Sequence, residues 1–526
     1  MKVLVSDNLD SIGIEMFRKE EGIEVDVKPG LSPEEQKSII GEYDALVIRS
    51  ATKVTADLLS AAKRLKVVGR AGIGLDNVDI PAATKHGVVV MNTPGGNVVT
   101  TAEHAIAMMM ALTRNIPWGT ASLKAGKWEK KNLEGRELFN KVLGIIGLGK
   151  IGSIVADRAR GLKMQVIVYD PFVAPERLEK AGYAGVTIDE LYKRSDYITV
   201  HVPKLKDTAG MLNKKAFDRM KDGVMIINCA RGGIVNEADL YDALKSGKVA
   251  GAALDVFEKE PPGMSPLFEL DRVICTPHLG ASTQEAQANV ASAVAGQIID
   301  YLKNGTILNA VNVPSITGEL LKKIGPFLSL ADKMGSLLAQ LSPGPFKEII
   351  IEYTGDFEGL DMSPVTTAVL RGLLVPIVKD DVNFVNANFI AKERGIKVTE
   401  TANAESEDFI NLITVKGIAA DKPVTIAGTI FGKKDERIVR INNFRLEMHP
   451  SGHLALIQNL DKPGAIGSIG TTLGKNNINI GRMQVGQEEE GARNIILLKT
   501  DSPIPEPVVE ELRALPMVKS VIPLEL

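Results

Sequence analysis

Three side chains stand where a carboxylate and a proton could be handled together. Arg231 follows the apolar run 224–228 in Asn228-Cys229-Ala230-Arg231-Gly232-Gly233. Glu260 lies in Asp255-Val256-Phe257-Glu258-Lys259-Glu260-Pro261, and His278 in Thr276-Pro277-His278-Leu279-Gly280. A guanidinium offers a planar fork for a carboxylate. An imidazole gives or takes a proton at a carbinol oxygen, and a neighbouring carboxylate orients the ring and stabilises its cation. With a hydride acceptor alongside, these groups are what oxidation of a 2-hydroxy acid requires. Taken singly, each has a plainer reading: a surface ion-pair arginine, a solvated loop acid beside prolines, a structural histidine. His201 also ends an apolar run, in His201-Val202-Pro203, and competes with His278. It comes one strand after Asp170 and reads as a structural or cofactor-side residue.

The hydride acceptor has its own signature. In Gly147-Leu148-Gly149-Lys150-Ile151-Gly152 a G-x-G-x-x-G follows an apolar strand and opens a helix. Gly147 permits the tight turn, Gly149 lets backbone approach a pyrophosphate, and Gly152 allows close helix–strand packing. Asp170 ends the next strand, 23 residues after Gly147. An acid there accepts from a ribose and repels a 2′-phosphate, so NAD is expected rather than NADP. The plainer alternative is a glycine-rich turn with a solvated aspartate.

These residues need strands to end on. Buried apolar runs at 2–6, 45–49, 67–70, 88–91, 142–146, 165–169, 197–201, 224–228, 251–255 and 273–276 alternate with helical segments. Such runs predict parallel sheet in a doubly wound α/β architecture, with two similar units on either side of a helix starting near Val98. Arg231, Glu260 and His278 all fall just past predicted carboxyl ends, the edge where ligands bind in such sheets. After residue 310 the pattern changes. A long amphipathic helix is expected over 318–340, with Leu320, Leu321, Ile324, Leu328 and Leu330 facing the core. The last 75 residues read as a separate βαββαβ unit, the ferredoxin-like order.

Composition narrows the class. The chain has 526 residues, 62 Lys+Arg against 65 Asp+Glu, and a net charge of −3, which argues against a nucleic-acid partner. The apolar run 105–112 is far short of the roughly 18 residues of a membrane span. No secretory signal is evident in the first residues, and only Cys229 and Cys275 are cysteines, which fits a reducing cytoplasm. No metal site is expected.

At this density of motifs the sequence resembles the D-isomer-specific 2-hydroxyacid dehydrogenases, and among them the long-form D-3-phosphoglycerate dehydrogenases. The likeness rests on Arg49-Ser50-Ala51-Thr52, Gly69-Arg70-Ala71-Gly72-Ile73-Gly74-Leu75-Asp76, Met91-Asn92-Thr93-Pro94, the glycine motif, Cys229-Ala230-Arg231-Gly232-Gly233, Ala252-Ala253-Leu254-Asp255 and Pro277-His278-Leu279-Gly280-Ala281. It implies catalytic Arg231, Glu260 and His278. It implies NAD contacts at Lys150, Ile151, Asp170, Thr208, Cys229, Ala230, Arg231, Asp255, His278, Leu279, Gly280 and Ala281, with Asp255 on the nicotinamide carboxamide. The implied substrate is (2R)-3-phosphoglycerate, oxidised to 3-phosphooxypyruvate at the entry to L-serine synthesis. Arg49 and Arg70, with Gly72 beside them, are candidates for the 3-phosphate.

The resemblance also implies a layout. Residues 1–97 and 285–312 would form a discontinuous flavodoxin-like substrate domain, and 98–284 an inserted Rossmann domain whose first helix, about 98–113, helps form a homodimer or homotetramer. Residues 313–447 would be an α+β intervening domain, resembled through 386–396, with Asn388 where proline is expected. Residues 448–526 would be an ACT domain, in which Asn459, Asp461 and Asn479 match effector contacts and L-serine is the expected effector. The plainer reading of those three is turn residues and a strand cap. Two alternatives stay open: another 2-hydroxy acid such as glycerate or 2-hydroxyglutarate, and a non-catalytic NAD sensor.

Overall fold

The computed structural model describes every residue except 343, 358, 379–381, 405–408, 420, 421 and 488–492. By contact the chain divides into two units: Met1–Leu9, Ile14–Asn92 and Val294–Leu526 form one, and Asp10–Gly13 with Thr93–Ala293 the other.

The first unit opens with five parallel strands, β1 (Lys2–Val5), β2 (Glu24–Val27), β3 (Ala45–Ile48), β4 (Val67–Arg70) and β5 (Val89–Asn92), in the order β2-β1-β3-β4-β5. That is the flavodoxin-like order. Every residue of β3 and β5 is buried, as helices on both faces demand. β2 was not expected from sequence. Its Glu-Val-Asp-Val is half polar because it is an edge strand.

In the second unit β6 (Val142–Ile146), β7 (Gln165–Tyr169), β8 (Ala184–Gly185), β9 (Tyr197–Val200), β10 (Val224–Asn228), β11 (Val249–Leu254) and β12 (Val273–Cys275) form one parallel sheet. Its order is β12-β11-β10-β9-β6-β7-β8. The order reverses between β6 and β9, the crevice where a dinucleotide lies in Rossmann sheets. The helix Val98–Thr113 lies against this sheet, with Ala102, Ala105, Met109 and Leu112 packed in one core with Leu143, Ile145 and Ile227.

The rest of the first unit holds two further sheets. β13 (Phe346–Gly355), β14 (Lys397–Asn403), β15 (Asn411–Ala419), β16 (Lys422–Phe431), β17 (Asp435–Ile441) and β18 (Phe444–Met448) run in the order β14-β13-β15-β16-β17-β18. Only the β13–β14 pair is parallel. The helices Gly318–Leu341 and Ser363–Leu374 share its core. Ile324 and Leu330 are buried and Leu320 and Leu328 pack against that core as expected, but Leu321 lines an open hollow beside Lys322 and Phe431.

β19 (His453–Leu460), β20 (Ile480–Gln487), β21 (Arg493–Thr500) and β22 (Val518–Glu525), with helices Ala465–Lys475 and Glu506–Arg513, complete the expected βαββαβ unit as an antiparallel sheet, β20-β21-β19-β22. Its helices cover one face. Leu454, Leu456, Ile495, Leu497 and Leu524 on the other join the core of the preceding sheet. In packing it is therefore continuous with the domain before it. Among the described residues no helix is long and apolar enough to cross a membrane.

The two helices over the six-stranded sheet cross at a point with no room for a side chain. A Cβ on Gly372 would fall 1.8 Å from the Asp332 carbonyl oxygen. Replacing Gly372 by alanine should force the helices apart and cost about 1–3 kcal/mol, the usual scale of overpacking. A urea midpoint equal to that of the unmodified chain would contradict this contact.

Candidate active site

The glycine motif folds as its spacing requires. Gly147 has φ +92°, in the left-handed region, and donates to Tyr169 O at 2.9 Å. A Cβ on Gly152 would sit 2.0 Å from Gly147 O, so the helix Lys150–Gly161 packs onto the turn only with glycine there. A Cβ on Gly149 would meet nothing within 4 Å, which leaves its backbone open to a ligand. Asp170 is held over this turn, its Oδ2 accepting from Leu148 N–H at 2.8 Å and its Oδ1 from Phe172 N–H at 2.9 Å. These residues fit a dinucleotide. Thr208 closes its own loop, accepting from Leu205 N–H at 2.8 Å and donating to Pro203 O at 2.6 Å.

Arg231, Asp255 and His278 follow three neighbouring strands, β10, β11 and β12. Asn228, the last residue of β10, shapes the arginine loop: its side chain accepts from Ala230 N–H at 3.0 Å and donates to Arg231 O at 3.0 Å. Arg231 is partly exposed, and its Nη1 donates to Ala230 O at 2.7 Å. The loop lies hard against the next one, since a Cβ on Gly232 would come within 1.7 Å of Phe257 O. Phe257 N–H in turn donates to Glu260 Oε1 at 3.0 Å. The arginine and glutamate loops are thus one packed piece.

Glu260 Oε2 and His278 Nδ1 lie 2.7 Å apart. Burial would raise the Glu260 carboxyl, but the hydrogen bonds from His278 and Phe257 N–H outweigh it and hold the group below its ordinary value. It is therefore a carboxylate at neutral pH, aimed at the ring. His278 has φ +53°, a left-handed conformation that non-glycine residues hold only when their surroundings fix it.

What fixes it is Asp255. Its main-chain oxygen accepts from His278 N–H at 2.9 Å, its Oδ1 from Leu279 N–H at 2.7 Å and its Oδ2 from Gly280 N–H at 2.9 Å. Thr276 Oγ1 donates to Oδ1 at 2.5 Å, and His104 Nε2 lies 3.2 Å from the same oxygen. Asp255 is wholly buried. Burial would push its carboxyl up, yet His104, Thr276 and Leu279 N–H together hold it below its ordinary value. Sequence reasoning gave Asp255 to the cofactor and did not find His104 or Thr276. The available signal was a histidine three residues from Thr101 and four from Met108, on the sheet-facing side of its helix.

The remaining candidates sit elsewhere. Cys229 is buried, and burial pushes its thiol well up, so it is no nucleophile. In the other unit, the loop after β3 is gathered by buried Asp7, which accepts from the backbone N–H of Arg49 at 2.6 Å and from Thr52 Oγ1 at 2.6 Å. Arg70 Nε donates to Arg49 O at 3.2 Å, and Gly72, at φ +153°, lies beside the Arg70 guanidinium. Asn459 is buried with its Oδ1 unpartnered, opposite Asn494, whose Oδ1 is unpartnered too. Asn494 was not found from sequence. Asp461 and Asn479 are exposed, with Asn479 N–H donating to Asp501 at 3.3 Å. Among the described residues no cluster of three or more His, Cys, Asp or Glu could hold a metal.

His201 is no rival for the proton. It pairs with Thr199 Oγ1 at 2.9 Å, and burial lowers its pKa to about 4 from 6.5. The unfolded chain binds this proton below about pH 6.5 and the folded chain only near 4, so stability is lost as pH falls through that window. His201→Gln should make the fall in melting temperature between pH 7 and 5 shallower. Parallel curves for the two proteins would show that the ring is not kept neutral by the fold.

Comparison with known proteins agrees with this geometry. Residues 106–280 match the family described as D-isomer specific 2-hydroxyacid dehydrogenase, NAD binding domain. Residues 323–442 match the D-3-phosphoglycerate dehydrogenase intervening domain, and 453–516 the ACT domain. A D-3-phosphoglycerate dehydrogenase of Archaeoglobus fulgidus is 46% identical over 98% of this chain and 98% of its own. One from Bacillus subtilis is 44% identical over 99% and 98%. Among solved structures, a glyoxylate reductase from Paecilomyes thermophila is 30% identical, with a TM-score of 0.55, over 59% of this chain and 98% of its own. An NAD-dependent formate dehydrogenase from Staphylococcus aureus, solved with NAD, is 29% identical, with a TM-score of 0.55, over 60% and 100%. With two relatives matched almost end to end and the three domain families in their order, this chain belongs to the D-3-phosphoglycerate dehydrogenase family.

Proposed function

We propose that the chain oxidises (2R)-3-phosphoglycerate to 3-phosphooxypyruvate with NAD, the entry step of L-serine synthesis. The observation that carries the reading is the Glu260–His278 pair at 2.7 Å, on strand ends of a Rossmann sheet and packed beside the Arg231 loop. Bound NAD supplies the hydride acceptor. Its phosphates suit the open backbone at Gly149, Lys150 and Ile151, its ribose Asp170, and its nicotinamide end the loops of Cys229–Arg231 and His278–Ala281, with Thr208 nearby in sequence to the same edge. Arg231 holds the substrate carboxylate in its fork. His278 takes the hydroxyl proton as the C2 hydrogen leaves, and Glu260 stabilises the resulting imidazolium. Arg49 and Arg70 are the candidates for the 3-phosphate.

The test is turnover by the purified chain with NAD on 3-phosphoglycerate, D-glycerate and 2-hydroxyglutarate. Failure on the first, or equal rates on all three, would overturn the substrate assignment. His278→Ala should lower kcat by about 10² or more, the scale of lost acid–base catalysis, with NADH binding kept. Arg231→Lys keeps charge but loses the fork, so it should raise KM for substrate while NADH affinity stays. Equal loss of both affinities would mean that Arg231 serves the cofactor site or the fold.

Two finer readings go with this one. Val99 and Met110 are 51% and 40% exposed on the 98–113 helix, which supports a homodimer or homotetramer built there. The facing, unpartnered side-chain oxygens of Asn459 and Asn494 support a polar ligand at the ACT sheet, for which L-serine, the pathway's end product, is the natural effector. Rising L-serine should then inhibit the full chain, and Asn479→Ala should move the inhibition curve to higher concentration. A flat response to millimolar serine would remove the feedback and leave the dehydrogenase reading standing.

A further inference from the structure

We propose that His104, on the helix Val98–Thr113, is a positioning residue for the proton transfer: its Nε2–H ties Asp255 to Thr276 and so fixes the loop that presents His278 to Glu260. The inference rests on the functional reading above.

The hydrogen bonds assign the proton. Thr276 Oγ1 has one proton, and the nearer acceptor is Asp255 Oδ1 at 2.5 Å rather than Met108 Sδ at 3.9 Å. Facing His104, Thr276 can then only accept, and a carboxylate oxygen can only accept. His104 Nε2 is 3.1 Å from Thr276 Oγ1 and 3.2 Å from Asp255 Oδ1. A lone pair there would face two oxygens, so Nε2 carries a hydrogen and donates to both.

The consequence lies one bond further on. Three consecutive N–H groups, of His278, Leu279 and Gly280, all end on Asp255. A carboxylate gripped by His104 and Thr276 cannot rotate, and a loop bonded to it cannot drift. The same helix holds the loop's far end, Thr101 Oγ1 donating to Gly280 O at 3.0 Å. The helix is itself fixed by its buried face, with Ala102, Ala105, Met109 and Leu112 in the core of the sheet. The left-handed backbone of His278 is thus held from behind by a histidine whose own bonds go to Asp255 and Thr276.

The experiment uses the full chain as His104→Leu, His104→Gln and Thr276→Val, each measured for kcat, KM and the pH dependence of kcat/KM on 3-phosphoglycerate. Leucine removes the donor; glutamine can place an N–H where Nε2 stands; valine removes the bridging hydroxyl and keeps the shape. His104→Leu and Thr276→Val should each lower kcat about tenfold or more, as small misplacements of reacting groups do, with substrate KM little changed. Both should also move the pH profile of kcat/KM, because the loop bonded to Asp255 no longer holds the ring against Glu260. His104→Gln should restore both rate and profile. Wild-type kcat and profile in the leucine and valine variants would overturn the inference. So would a loss that glutamine does not restore and that leaves the profile unmoved, since that is packing alone. If His104→Leu does not fold, Thr276→Val decides by the same criteria. No turnover by the unmodified chain would overturn the functional reading instead.

Discussion

A buried carboxylate is the constraint on which the active site depends. Asp255 stands at the end of β11 with no exposure, where an ionised group is costly unless its oxygens are supplied with donors. The chain supplies them with four donors: His104 from its helix, the hydroxyl of Thr276 just past β12, and the backbone N–H groups of Leu279 and Gly280. The need of the charge for donors and the need of the loop for an anchor are met by the same bonds. His278 can therefore sit in a backbone conformation its side chain does not favour, with its ring already against Glu260. For the proposed proton transfer the pair is preset, which is what preorganisation means energetically.

The same device appears at the other parallel sheet. Asp7 follows β1 as Asp255 follows β11, is buried, and gathers backbone N–H groups of Arg49, Ala51 and Thr52 together with the Thr52 hydroxyl. Asn77 closes that loop by donating to Arg49 O and Thr52 O at 2.8 and 2.6 Å. In each sheet a loop that would otherwise be free is turned into a rigid shelf by one acid. Parallel sheets make this possible because every strand delivers its carboxyl end to the same edge. They also make it necessary, because the loops there carry chemistry and have no sheet pairing of their own.

What could be read in advance follows from range. Central strands such as 142–146 and 224–228 were legible to the residue because both faces are buried and the sequence is a bare apolar run. β2 and the two-residue β8 were not, since edge strands need no such run. The placing of Arg231, Glu260 and His278 on one sheet edge could be read in advance because each follows a strand. His104 was not: its partners are 151 and 172 residues away, and its helix reads as an apolar face for another subunit. Asn494 was hidden for a similar reason, because only the pairing of β19 with β21 sets it opposite Asn459. Leu321 was misplaced by periodicity alone, which cannot tell a core-facing stripe from the wall of a hollow next to it.

The packing of the C-terminal sheet bears on how an amino acid could regulate such a site. Leu454 and Leu456 of β19 and Leu497 of β21 belong to the same core as Leu330 and Leu337 of the 318–341 helix. Packed cores do not deform smoothly, so a shared core couples the two α+β layers. The layer in front is linked in turn to the first parallel sheet, Asn383 donating to Gly87 O at 3.2 Å, where a side chain on Gly87 would collide with that amide. A ligand at Asn459, as proposed, would therefore push on a stiff body. Stiffness alone transmits nothing, because a ligand shifts an equilibrium only by its difference in affinity for two states. On the proposed reading the unpartnered oxygens of Asn459 and Asn494 would supply such a difference, since a state that brought ammonium or hydroxyl donors to them would gain hydrogen bonds. Two buried acceptors left open at the end of a packed sheet are thus both a cost in the free chain and the lever by which an effector would act.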